Sequence, residues 1–241
     1  MKRSIIIAFV LVAIVAGFAG CSNGLKDVPP KVKLYGLKSA KIEYTYSGDV
    51  TGKKSVLIAN FGMYETQIDE FTMQMGGKPS TVKSQTIRVD TLNYTIDLKD
   101  STGQKSPFSF DQLEQMTKNF TPEQKENLNA ELIQTMMGGK KAGQGDVLGN
   151  KCDIFELQGG GKIWMWKGLV MKQEMPMGTM KLALTATKIE TDPSVSIDDF
   201  TPPTWVKFAP PAPMGMPPGH PQVDPNQGNQ PPAPAPSGSG N

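Results

Sequence analysis

The chain has 241 residues, with 25 Lys and Arg against 23 Asp and Glu and a formal net charge of +2. Both surplus charges, Lys2 and Arg3, lie in the first twenty residues, so the remainder is neutral (+2 − 2 = 0) and lacks the clustered cations that nucleic-acid binding requires. One histidine and two cysteines leave little material for His-based catalysis or for a disulfide framework.

The first twenty residues read as an export signal. Lys2 and Arg3 form a positive n-region, and Ile5 to Val15 form an apolar stretch too short for a membrane span, which needs roughly twenty apolar residues. Phe18-Ala19-Gly20-Cys21 then resembles a bacterial lipobox, with Phe18 where that motif usually has Leu. The resemblance implies cleavage before Cys21, a thioether-linked diacylglycerol on its sulfur and an acyl chain on its new amine, with no further cofactor. An ordinary signal peptide with an incidental cysteine is the alternative. Several acyl chains on one residue anchor a protein firmly, because each buried CH2 contributes about 0.8 kcal/mol. Ser22, by the familiar enterobacterial sorting rule, sends such a protein to the outer membrane of the cell envelope, where the bilayer is its first partner.

Ser22 to Lys33, with Pro29-Pro30, reads as a polar leader, so residues 21–37 are expected to link the anchor to a domain spanning 38–208. Within that domain Ile42, Tyr44 and Tyr46 alternate with polar residues, and Leu92, Tyr94, Ile96 and Leu98 do so again, the period of a β-strand. Val56 to Phe61, Tyr64 to Ile68, Phe71 to Met75 and Thr81 to Val89 complete a first run of strands. Leu113, Met116 and Phe120 share a helical face. Thr121-Pro122-Glu123-Gln124 carries a capping box with Pro at the first helical position, and Leu128, Leu132, Ile133 and Met136 extend an apolar stripe as far as Gly138-Gly139. A second run of strands follows over Lys151 to Leu157, Lys162 to Lys167, Leu169 to Met175 and Met180 to Ile189, with a turn at Pro176-Met177-Gly178. The expected fold is mainly β with a helical insertion: a curved antiparallel half-barrel covered by helices. Residues 209–241, rich in Pro, Gly, Gln, Asn and Ser, cannot bury enough apolar surface to offset their ordering entropy and are expected to be disordered.

Gly145-Asp146-Val147-Leu148-Gly149-Asn150-Lys151-Cys152-Asp153-Ile154-Phe155, Lys162-Ile163-Trp164-Met165-Trp166 and Phe200-Thr201-Pro202-Pro203 resemble motifs of the LolA/LolB-like lipoprotein-carrier superfamily. The resemblance covers roughly Lys38 to Phe208 and is similar to an uncharacterised bacterial lipoprotein branch. It implies an unclosed sheet around a hydrophobic cavity capped by helices, and a lipid or other hydrophobic ligand within it.

Enzyme chemistry is not expected. The single histidine, His220, falls in the tail, away from any nucleophile. Asp69 with Glu70 and Asp198 with Asp199 read as solvated turn residues, and Gly159-Gly160-Gly161 as a hairpin loop. Cys152 reads as a small buried hydrophobe. Trp164 and Trp166 share one face of a strand with Ile163 and Met165 on the other, so that strand is expected to be buried on both faces or to line a cavity. Trp164, Trp166, Met171, Met175, Leu132 and Met136 are the candidate ligand contacts, since Met adapts to irregular apolar surfaces. Two alternatives stand beside this reading. One is a structural or interaction lipoprotein that reaches an envelope protein partner with its Pro-rich tail. The other is a copper-binding lipoprotein using soft thioethers at Met214 and Met216 with His220.

Overall fold

The computed structural model describes residues 24–209 apart from 27, 76 and 179, and of Met75, Met136 and Met177 only the backbone. Twelve strands form one open, curved sheet. Six precede the helices: β1 (Ala40–Gly48), β2 (Val50–Ala59), β3 (Tyr64–Met75), β4 (Lys78–Val89), β5 (Leu92–Asp97) and β6 (Thr102–Pro107). Three helices follow, α1 (Phe110–Met116), α2 (Pro122–Lys125) and α3 (Leu128–Met136). The second run comprises β7 (Lys140–Val147), β8 (Asn150–Glu156), β9 (Lys162–Trp166), β10 (Leu169–Met177), β11 (Met180–Thr191) and the two-residue β12 (Lys207–Phe208). The spatial order is β12-β6-β5-β4-β3-β2-β1-β11-β10-β9-β8-β7, so the two runs join where β1 pairs with β11. Every pairing is antiparallel except β12 with β6.

Alternation decides most strands. In β1 the side chains of Ala40, Ile42 and Tyr44 are buried while those of Lys41, Glu43 and Thr45 are exposed. Three expectations change. Tyr64 to Ile68 and Phe71 to Met75 are one strand, β3, because Asp69 and Glu70 pair across to Lys54 and Lys53 instead of turning. The Pro176-Met177-Gly178 turn lies further on, since Pro176 pairs with Lys181 and Met177 with Met180. Two polar strands, β6 and β7, have no counterpart among the sequence-derived elements. Both lie at or next to a sheet edge, each with a single buried residue (Gly103, Val147), so neither carries an alternation to read.

The helical stripe is not continuous. The Thr121 capping box is present, with the Gln124 N–H donating to Thr121 Oγ1 at 3.3 Å and the Thr121 N–H to Gln124 Oε1 at 2.9 Å. The helix then breaks at Asn127 (φ −147, ψ 56). There the Leu128 N–H donates to Lys33 O at 3.0 Å and the Lys33 N–H to Lys125 O at 2.8 Å, so the N-terminal segment takes up hydrogen bonds that a continuous helix would have made internally. The same segment buries Val32, Leu34 and Tyr35 in the main core. The described residues between 24 and 37 are therefore part of the packed body, not the spacer expected from their composition.

Three apolar clusters hold the sheet. The largest joins Ile42, Tyr44, Ile58, Met171, Leu184 and Ala186 to Val32, Leu34 and Leu128, with Leu113, Phe120 and Leu132 packed against it. A second gathers Tyr64, Ile87 and Ile96 under Phe200 and Val206, with the Tyr64 and Phe200 ring centroids 5.6 Å apart. Ile58 belongs to the first and its neighbour Ala59 to the second, so these two cores lie on opposite faces of the sheet. The third unites Phe155, Leu157, Ile163 and Met165 with Ala130 and Ile133 of α3. Leu128, fully buried at the start of α3, is the tightest apolar link between the helices and the main core. Leu128→Ala is expected to cost about 2–5 kcal/mol in urea denaturation; a cost below about 1 kcal/mol would show that α3 is not docked there.

Candidate functional site

The register places a polar row on the same sheet face as the main core. Tyr44 pairs with Lys54 and Lys54 with Asp69; Val56 pairs with Gln67; Ile58 pairs with Glu65 and Glu65 with Arg88. Glu65 is buried against Tyr35 of the N-terminal segment, and Lys54, Gln67, Asp69 and Arg88 are half-buried. Glu65, 5 % exposed, is the hub. It accepts the Tyr35 hydroxyl at 2.9 Å, a guanidinium N–H of Arg88 and the amide of Gln67. Arg88 also donates from Nε to Gly62 O at 2.9 Å and lies 5.0 Å from the centroid of the Phe108 ring. A second group sits alongside: Tyr46 donates to Asp69 Oδ1 at 2.5 Å and Lys54 Nζ to Asp69 Oδ2 at 3.4 Å. Asp69 is thus half-buried and doubly paired, not the solvated turn residue its sequence context indicates.

This burial shows in the phenols. Desolvation pushes the Tyr35 hydroxyl well above its usual range, and the Glu65 charge adds to the effect. Tyr44 moves the same way for the same two reasons, and Tyr46 through desolvation and its bond to Asp69.

Between this row, Tyr35 and α3 lies a cavity of about 140 Å³. Its apolar walls are Val56, Leu169, Val170 and Leu184, and its polar ones include Tyr44, Lys54, Gln67, Gln173 and Asn129. Tyr44 is 5 % exposed, and among the described residues its hydroxyl makes no hydrogen bond. At one end the β9–β10 turn runs through Lys167 (φ 49) and Gly168 (φ 79). A Cβ at Gly168 would lie 2.4 Å from Asn127 Oδ1 and 2.8 Å from Leu34 O, so only glycine lets the turn close against the N-terminal segment.

The residues singled out from sequence are distributed differently. The fully buried Met171 belongs to the main core, and half-buried Leu132, Trp164 and Trp166 pack against it. Met175 packs with Ile163 and Met165 in the third cluster instead. Met136 lies in α3, its side chain outside the described residues. None of Trp164, Trp166, Met171, Met175 and Leu132 lines the 140 Å³ cavity. The register sets Trp164 beside Ile154 and Lys172, with Lys172 Nζ 4.5 Å from its ring centroid, while Lys167 Nζ lies 5.1 Å from the Trp166 ring. From Ile163 to Trp166, strand β9 is apolar and at least half-buried on both faces, as its composition predicts. Cys152 is fully buried, and desolvation raises its thiol pKa. Cys21, Met214, Met216 and His220 lie outside the described residues.

Sequence patterning misses the Glu65 row because Glu65, Gln67 and Asp69 alternate with Tyr64, Thr66 and Ile68 in the manner of a solvent-facing side. Only pairing with Ile58 and Val56 turns that side inward. Among the described residues no cluster of three or more His, Cys, Asp or Glu is placed to hold a metal, and no helix is long and apolar enough to cross a membrane.

No family model and no curated protein matches the chain. Solved structures with related shapes include an uncharacterized conserved protein from Thermus thermophilus, at 9 % identity over 72 % of this chain and 91 % of that one, with a TM-score of 0.44. MucB matches at 13 % identity over 73 % of this chain and 62 % of its own, TM-score 0.37. LprF from Mycobacterium bovis matches at 10 % identity over 66 % and 88 %, TM-score 0.32. At TM-scores below 0.5 these likenesses assign neither a function nor a partner to this chain.

Proposed function

We propose that the chain is a non-enzymatic lipoprotein of the bacterial envelope, anchored through acylated Cys21, that takes a hydrophobic or amphipathic guest into the seam between its sheet and helices. The observation that carries this reading is the cavity beside Tyr44, with apolar walls from Val56, Leu169, Val170 and Leu184. At about 140 Å³ it is smaller than the roughly 300–1,000 Å³ typical of small-molecule sites. A long acyl chain therefore enters only if the cover yields. Among the helices only α3 reaches the cavity, through Asn129, one residue beyond the fully buried Leu128. Entry of such a guest therefore requires α3 and the Tyr35 segment to move, at a cost set by the apolar residues they bury in the main core.

Native mass spectrometry of protein starting at Ser22, purified gently from its host's envelope, tests the guest. A co-purifying mass released by organic solvent is the expected result. A clean apo mass, with no uptake of a fluorescent fatty acid, would overturn the binding reading and favour an interaction lipoprotein. The anchor is tested separately. Cys21→Ala is expected to move the protein from the membrane fraction to the soluble fraction, and retention of the variant in the membrane would refute acylation at that position.

A further inference from the structure

We infer that the groove formed by Val28, Pro29, Pro30, Met63 and Phe110 is the surface this protein lays against the bilayer. The inference rests on the anchoring of Cys21 proposed above, and it follows from how little chain separates that residue from the folded body. Three peptide steps join Cys21 to Gly24, a reach of at most about 11 Å.

From Gly24 onward the segment has no slack. Leu25 packs against the second core, and the Lys26 N–H donates to the Tyr64 hydroxyl at 3.0 Å. Lys26 Nζ reaches Asp90 at 2.7 Å. Asn60, 5 % exposed, donates its side-chain amide to Lys26 O and to Val28 O, both at 2.8 Å. The acyl chains on Cys21 therefore begin within about 11 Å of a fixed point on the body, and the protein surface around that point has no route away from the membrane.

The surface at that point suits a bilayer. Val28 is 77 % exposed, the most exposed large apolar side chain among the described residues. It borders a groove of about 340 Å³ whose other apolar lining comes from Pro29, Pro30, Val32, Met63 and Phe110. Lys26, Lys31, Asp111 and Glu114 flank it; Lys31 Nζ lies 3.0 Å from Glu114, and Lys26 Nζ lies 2.7 Å from Asp90 outside the groove. Lysines at such a rim keep their ammonium groups among lipid headgroups while their methylenes lie along apolar surface. Burial of one valine and two prolines would not hold a free protein on a membrane. A tether this short raises the effective concentration of the bilayer at the groove to the millimolar range or above, so a weak contact stays populated.

The test uses the full-length lipidated protein in vesicles of phosphatidylethanolamine and phosphatidylglycerol with brominated acyl chains. One sample carries an environment-sensitive fluorophore at Val28→Cys. The other carries it at Ser47→Cys, exposed near the far end of β1, about 23 Å along the strand from Ala40. Buried Cys152 stays unlabelled under native conditions. The expected result is several-fold stronger bromine quenching at position 28 than at position 47. Equal quenching, or stronger quenching at 47, on protein whose intact mass includes the acyl groups would overturn the assignment of this face and leave the anchor standing. An intact mass without acyl groups would overturn the anchor itself, and the face with it.

Discussion

Replacing Glu65 with leucine is expected to destabilise the fold by roughly 3–5 kcal/mol, the range seen when one partner of a buried ion pair is removed. The carboxylate is 5 % exposed and collects the Tyr35 hydroxyl, the Arg88 guanidinium and the Gln67 amide. Without it, the largely buried Arg88 side chain keeps only Gly62 O and the Phe108 ring, neither of which carries a neutralising charge. Tyr35→Phe removes a single hydrogen bond and leaves the ion pair, so it should cost only about 1–2 kcal/mol. A Glu65→Leu, Arg88→Met double variant should recover much of the loss, because it removes both charges together. The check is a urea denaturation series on the four proteins. A Glu65→Leu cost below about 1 kcal/mol, or a double variant worse than the single, would mean that Glu65 is not the buried counter-charge described here.

Stability is also expected to fall steeply above about pH 10, through Tyr35 and Tyr44. Both phenols are buried, and both hold their protons to higher pH folded than unfolded. Above the unfolded tyrosine value near 10, the unfolded chain releases these protons while the native state retains them. The unfolded state then binds fewer protons, so the free energy of unfolding drops as pH rises. Below that pH the contribution is fully present and the dependence is flat. Each tyrosine supplies up to about 1.4 kcal/mol per pH unit in this window. Tyr44→Phe is accordingly expected to make the alkaline slope shallower by up to that amount, and the part of the tyrosinate absorbance that this variant loses should rise in the parent protein with unfolding, not before it. An unchanged slope in the variant, or tyrosinate absorbance at Tyr44 in still-folded protein, would defeat this account.

How much of this was legible from sequence varied with the physics of each element. Strands β1, β5 and β11 announce themselves because one side of each packs on a core and the alternation survives in the residue types. Thr121 to Gln124 could be placed as a helix start because a capping box is a local structure, closed by side chains three residues apart. The break at Asn127 could not, since it depends on Lys33 and Leu34, more than ninety residues earlier in the chain, arriving to take the backbone hydrogen bonds. Strands β6, next to a sheet edge, and β7, at the other, left no trace because almost nothing in them is buried.

The candidate site divides the same way. Apolar residues such as Met171, Leu132 and Trp164 could be picked out as interior by type alone, and they are at least half-buried. The cavity, however, formed elsewhere, where Lys54 and Gln67 of the polar row meet Val56, Leu169, Val170 and Leu184. Composition and short-range pattern by themselves determined the mainly β character, the helical insertion and the neutral charge, because each depends on residue types or on neighbours within a few residues. Which side of β3 faces inward, that the leader belongs to the body, and that Glu65, Arg88 and Tyr35 meet were decided only by the tertiary structure. Those outcomes depend on strand register and on contacts between segments distant in the chain, where a shift of one residue would turn every side chain to the other face.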